Sequence, residues 1–174
     1  SLIRCRIAFK ESLKRAKQQI NTFLLSQGFH WPKSKWTQQH RNWLGQLPMR
    51  DAYTQTVLDE YIGLMETLEV RIQALEEQIR EIARSEVYAP SVKRLRAFKG
   101  IRTLTAMVLI AEITDFRRFP NPRALMAFLG LIPSEDSSGD KQKGGGITKA
   151  GNMRCRKHLI ESVQHYIKKP RISL

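Results

Sequence analysis

Apolar residues return along most of this chain at helical spacing. Over residues 3–26, Phe9, Leu13, Ala16, Ile20 and Phe23 alternate by four and three, opposite a face with Lys10, Lys14 and Lys17. That spacing predicts an amphipathic helix, stopped by Gly28. Residues 51–86 carry the clearest period in the sequence. Leu58, Met65, Ile72 and Ile79 fall at a, and Tyr61, Leu68, Leu75 and Ile82 at d, over four heptads with no proline and one glycine, Gly63. The pattern is that of a coiled coil. Ile62 and Leu64 widen the apolar stripe at its start. The first half is therefore expected to pack in cis, against the 3–26 helix, and the second half is freer to pair with another chain. Between the two helices, residues 29–50 read as a connector with Trp31, Trp36 and Trp43, broken by Pro32 and Pro48. The tryptophans are expected to cap a small core rather than stack on bases.

Pro90 is expected to end the long helix. Residues 91–99 then read as a short basic helix, Gly100-Ile101-Arg102 as a tight turn, and Leu104 to Ile113 as an apolar helix. Helix, glycine turn, helix is the pattern of a helix-hairpin-helix, whose turn offers backbone N–H groups to a phosphate. An ordinary αα-hairpin fits equally, because Arg102 stands where such motifs usually place a second glycine. Asp115 to Pro122 reads as a basic turn, Arg123 to Leu131 as a short helix ending in Gly130, and Pro133 opens a polar, glycine-rich loop. Asn152 caps a last helix over 153–168. The expected fold class is all-α. A long coiled-coil helical hairpin (1–89) precedes a compact helical domain with a helix-hairpin-helix-like motif (90–174).

Charge narrows the partners. The 174 residues carry a net +14, with a pI near 10.2. Residues 1–50 hold ten lysines and arginines against one acid, whereas residues 51–87 hold nine acids against three. Residues 137–174 again hold nine bases against two acids. Basic ends around an acidic middle point to a polyanionic partner, nucleic acid before membrane, with the middle segment excluded from the contact. No apolar run approaches the ~18 residues of a membrane span, and no signal peptide is visible. Cys5 and Cys155 have no metal-ligand spacing, and His30, His40, His158 and His165 complete no zinc pattern. Two lone cysteines fit a reducing, cytoplasmic setting without a disulfide framework. No metal site and no cofactor are expected in the chain. It opens inside a helical pattern without an initiator methionine, so it is expected to be part of a longer protein.

The candidate chemistry lies between Gly130 and Leu159. Ser137 and Ser138 precede Gly139, with Lys141, Lys143 and Lys149 close in sequence. Phosphoryl transfer needs an activated oxygen and charge neutralisation, and this segment holds hydroxyls and cations. It lacks an evident base, since Asp136 and Asp140 are weak candidates and no histidine is adjacent. On composition alone, a polar loop in a non-catalytic nucleic-acid-binding module, a helix-hairpin-helix on a coiled-coil dimeriser, comes first.

A longer pattern reverses that order. Phe98-x-Gly100-Ile101 with Thr105-Ala106 is followed by Glu112-Ile113-x-Asp115-x-x-Arg118-Phe119. Leu129-Gly130-Leu131-x-Pro133 then leads to Ser138-Gly139. Gly146-Ile147-x-Lys149-x-Gly151-Asn152 precedes Arg156-x-x-Leu159. This run from Leu95 to Leu159 resembles the C-terminal domain of IS110/IS116/IS902 family transposases, and residues 1–30 resemble the segment after that family's RuvC-like domain. The resemblance implies a DNA recombinase of an insertion sequence, guided by an RNA and assembled as a homo-oligomer, dimer or tetramer. It implies Ser138 as the nucleophile, with Ser137 the alternative by one residue. It implies that Gly139, Lys149, Gly151, Asn152 and Arg156 shape the loop or hold phosphates. Nucleic-acid contacts are expected at Lys99, Gly100 and Arg102 of the glycine turn and at Lys141, Lys143, Lys149, Asn152, Arg154 and Arg156. Mg²⁺ is implied only for the RuvC-like domain, whose acidic tetrad this sequence does not contain. Gly144, Gly145 and Gly146 stand where the family more usually has a basic-glycine pattern.

Overall fold

A computed structural model describes the backbone of residues 1–138 and 141–167, and their side chains except at 135–144, 165 and 167. The elements run α1 (Leu2–Ser26), α2 (Gln38–Leu44), α3 (Ala52–Arg84), α4 (Ala89–Arg96), α5 (Thr103–Ile113), a 3-10 turn (Phe116–Arg118), α6 (Pro122–Leu129), β1 (Pro133–Ser138), β2 (Lys141–Ile147) and α7 (Met153–Ile167). Among the described residues the protein is all-α apart from the β1–β2 pair. No helix among the described residues is long and apolar enough to cross a membrane. The chain divides into two compact units, Leu2–Glu76 and Glu77–Leu174 with Ser1, and the division falls inside α3.

In the first unit, α1 and α3 run antiparallel. Arg6 Nε donates to Glu76 Oε1 at 2.8 Å, Lys17 Nζ pairs with Glu69 at 2.8 Å, and the rings of Phe23 and Tyr61 meet edge-on at 5.8 Å. The heptad reading separates its two positions here. Leu58, Met65 and Ile72 at a are buried, while Tyr61 and Leu68 at d are only half-buried. Ala16, Ile20 and Leu24 pack with Leu58 and Met65 in one apolar cluster. Burial weakens ionisation of Glu69, but hydrogen bonds from Lys17 and Arg41 outweigh it and hold its carboxyl below the usual range.

The connector contains a helix that the sequence pattern does not announce, α2. Thr37 caps it through its side chain, which accepts the His40 N–H. His40 is fully buried, with Trp31, Trp36 and Trp43 ring centroids 5.0–5.6 Å away. Its Nδ1 accepts the Trp36 N–H at 3.2 Å. The tryptophans therefore enclose a histidine and cap a small core, as expected of them.

In the second unit, α5 is apolar nearly all round and lies at the centre. Leu109 and Ile113 cluster with Leu129 of α6 and Cys155 of α7. Leu95, Ile101, Phe119 and Leu159 close the cluster. The long helix ends at Arg84, ahead of Pro90, which sits in the first turn of α4. That is where proline's missing N–H costs nothing. Gly130 ends α6 in the left-handed conformation (φ 66°), its N–H on Ala127 O, with the Leu131 N–H on Met126 O.

The glycine-rich segment expected to be a loop is a β-hairpin. Backbone pairing, which needs no apolar face, organises it. Glu135 pairs with Gly144, Asp136 with Lys143, Ser137 with Gln142 and Ser138 with Lys141, after an irregularity between Pro133 and Glu135.

Candidate nucleic-acid interface and serine hairpin

The hairpin stands on a base tied by backbone hydrogen bonds. Thr148 N–H donates to Ile132 O, Lys149 N–H to Gly130 O and Asn152 N–H to Phe128 O, at 2.8–3.2 Å. Two glycines make this closeness possible. A Cβ on Gly151 would lie 2.5 Å from Phe128 O and 2.7 Å from Gly130 N. A Cβ on Gly130 would meet Arg156 Nη1 at 2.5 Å. Lys149 takes a left-handed φ of 56° to turn the chain toward α7.

A polar knot lies beneath. Glu112, on α5, has a side chain only 3 % exposed. Asn152 Nδ2 donates to Glu112 Oε2 at 3.0 Å, and Asn152 Oδ1 accepts the Cys155 N–H at 3.0 Å, capping α7. Arg154 Nη1 stands 3.7 Å from the same carboxylate oxygen. Arg156, 8 % exposed, donates Nη1 to Leu129 O at 2.8 Å. Burial, then the Glu112 carboxylate, push the Cys155 thiol up to about 11. The knot holds the hairpin base, α5 and the start of α7 in one arrangement.

The predicted site residues therefore fall into three groups. Asn152 and Arg156 point inward and hold the hairpin base, while Arg154 and Lys149 are exposed beside it. Lys99, Gly100 and Arg102 lie together at the turn from α4 to α5, where Gly100 takes φ 85° and Arg102 is the exposed N-cap residue of α5 with no side-chain cap bond. Ser137, Ser138, Lys141 and Lys143 are placed by backbone only, and their side chains, with Gly139, lie outside the described residues. β1 rises about 3.3 Å per residue, so Ser138 ends it some 17 Å along the strand from Pro133.

Two further side chains lie in this unit with contacts that bear on the arrangement, Glu112 and Arg118. Glu112 is the only acid between Glu86 and Asp115, a signal the sequence does contain. Arg118 is exposed, and its guanidinium carbon sits 4.8 Å and 4.6 Å from the ring centroids of Phe119 and Phe128. Contact with two rings holds the charge at this place. Its neighbour Arg117 is bound instead to Asp115, and that hydrogen bond holds the Asp115 carboxyl below its usual range.

Comparison with known proteins fits this arrangement. The profile of the transposase IS116/IS110/IS902 family matches residues 92–173, which hold the α4–α5 turn, the hairpin and the knot. A putative transposase of Sinorhizobium fredii, y4qE, is 36% identical over 98% of this chain and 41% of its own length. The transposase for insertion sequence element IS1533 of Leptospira borgpetersenii is 34% identical over 72% of this chain and 37% of its own. A probable family 20 transposase of Pseudomonas aeruginosa is 35% identical over 64% and 32%. The chain thus spans about two fifths or less of the length of these three relatives. By the match at residues 92–173 and by these relatives, the chain belongs to the IS116/IS110/IS902 transposase family.

Proposed function

We propose that this chain is the part of an insertion-sequence transposase that carries a serine nucleophile for DNA strand cleavage and exchange. The supporting observation is the register of the hairpin. Ser138 ends β1 directly opposite Lys141, on a base clamped by Gly130, Gly151, Asn152 and Arg156. Backbone pairing of Ser138 with Lys141 above a clamped base supports this reading, because attack on a phosphodiester needs a hydroxyl and a cation near each other. The Ser138 Oγ would form a bond to phosphorus as the ester bond to one deoxyribose oxygen breaks. The hydroxyl proton passes to a base and the departing oxygen takes one up. Lysine charge offsets the charge on the phosphoryl oxygens. Ser137, opposite Gln142, is the alternative nucleophile.

DNA is the substrate in this reading, a guide RNA selects it, and a homo-oligomer completes the site in the cytoplasm. Mg²⁺ belongs to a RuvC-like domain. Among the described residues no group of three or more His, Cys, Asp or Glu side chains could hold a metal ion. The 174-residue chain by itself is expected to cleave nothing.

The test is a denaturant-resistant protein–DNA adduct. It uses the protein completed by its RuvC-like domain, with RNA, Mg²⁺ and a nicked DNA that traps intermediates. An adduct lost only in Ser138→Ala assigns the nucleophile, and one lost only in Ser137→Ala moves it by a residue. An adduct that survives both changes overturns the proposal. The second reading, a helix-hairpin-helix that binds nucleic acid without chemistry, draws on the α4–α5 turn at Gly100 and would then stand alone.

A further inference from the structure

The turn between α4 and α5 is more than a cationic corner. Phe98 is 60 % exposed and Tyr166 of α7 is 55 % exposed. Lys99 Nζ lies 5.7 Å from the Tyr166 ring centroid, which ties the end of α7 to the turn. Arg96, Lys99 and Arg102 are all exposed and lie within four residues of Phe98 in sequence. From Val87 to Ala111 the chain has five lysines and arginines and no acid. Cations alone suit any polyanion. Exposed rings among cations suit one whose bases are unpaired, because a base inside a duplex has no free face to stack.

We infer that Phe98 and Tyr166, flanked by Arg96, Lys99 and Arg102, form a docking surface for single-stranded DNA. This rests on the reading of the chain as acting on DNA, and it deepens that reading. Strand exchange separates strands, and this surface would take up an unpaired segment, with a base stacked on Phe98 and phosphates held by Lys99 and Arg102. DNA is preferred over RNA here because the proposed chemistry unpairs DNA. The α5 N-terminus, with no side-chain cap, adds its amides at the same place.

The test uses the 174-residue chain with fluorescently labelled dT and U 12-mers and a blunt 12-base-pair duplex, read by polarisation over a salt series. The single-stranded DNA is expected to bind more tightly than the duplex. Phe98→Ala should weaken dT binding roughly 5- to 100-fold with an unchanged salt slope. Phe98→Trp should restore it and Phe98→Leu should not, which separates stacking from apolar burial. Lys99→Ala and Arg102→Ala should each flatten the salt slope by about 0.7. Equal dT binding by Phe98→Ala and the parent chain would overturn the inference and leave the DNA reading intact. A tenfold preference for U over dT would overturn the DNA assignment. A change in oligomeric mass in Phe98→Ala, with unchanged dT affinity, would make the surface a protein contact and overturn it too. No binding to any probe would count against this surface and against the DNA reading together.

Discussion

Asn152 serves two partners at once. Its Nδ2 donates to the buried Glu112 carboxylate while its Oδ1 caps α7 through the Cys155 N–H, both at 3.0 Å. One side chain thereby joins α5, the hairpin base and the last helix. Asn152→Ala removes a cap and leaves a buried carboxylate short of a donor. A loss of about 2–4 kcal/mol is expected. Asn152→Ser, which keeps the cap and loses the tie, should fall between. Urea unfolding followed by circular dichroism measures both.

Gly151→Ala is expected to cost about 2 kcal/mol or more, because the added methyl would press on the backbone of Phe128 and Gly130. A backbone cannot step aside as the end of a long side chain can. Gly63→Ala is the control, since a Cβ there meets nothing within 4 Å and α3 should gain slightly. Thermal melts of the two variants should move in opposite directions.

Cys5 is exposed and Cys155 is buried with its thiol pushed up to about 11. A thiol reagent at pH 8 is therefore expected to modify Cys5 quickly, and Cys155 only after denaturant is added. Two fast-reacting thiols would refute the burial. Because the folded thiol ionises later than an unfolded one, its contribution to stability holds at neutral pH. It is lost as the pH climbs from the ordinary thiol range toward 11.

Burial, then the charges of Lys35 and Arg41, lower the pKa of His40. The fold therefore prefers the neutral ring. Stability from this group is complete above the ordinary histidine value of about 6.5 and falls as the pH drops below it. Urea midpoints should decline between pH 7.5 and 5.5, a window above the carboxylate titrations. His40→Gln should flatten that decline while lowering stability overall.

Arg118→Ala is expected to lower nucleic-acid affinity evenly across sequences and to flatten the salt slope by about 1. Its cost in stability should stay near 1 kcal/mol, the scale of an exposed cation–π contact. Arg118→Lys keeps the charge but loses the guanidinium's contact with Phe119 and Phe128, so it should recover only part of the binding. Full recovery by lysine would mean that this contact does not matter.

Much of the fold was legible because it depends on local periodicity. The a positions of the α3 heptads, Leu58, Met65 and Ile72, are buried, while Tyr61 and Leu68 at d are half-buried and Ile82 is exposed. Gly28 and Gly130 stand where left-handed stops are needed, at φ 82° and 66°. The short α2 escaped notice because seven residues hold too few turns for a period to show. The hairpin escaped because its strand pairing uses backbone groups, and the run from Lys141 to Gly146 has no apolar alternation to read.

The sequence by itself determined the helical class, the basic character, the family pattern and the positions of the paired serines. Each of these is a property of residue types at fixed spacing. Only the tertiary structure decided that Asn152 and Arg156 point inward to brace the hairpin base, and that Glu112 meets Asn152 forty residues away. It also decided that Arg118 lies against Phe128, and that Lys99 reaches Tyr166 from across the unit. The physical reason is reach: a hydrogen bond or a ring contact acts over a few ångströms in space, and sequence distance does not record which residues folding brings that close.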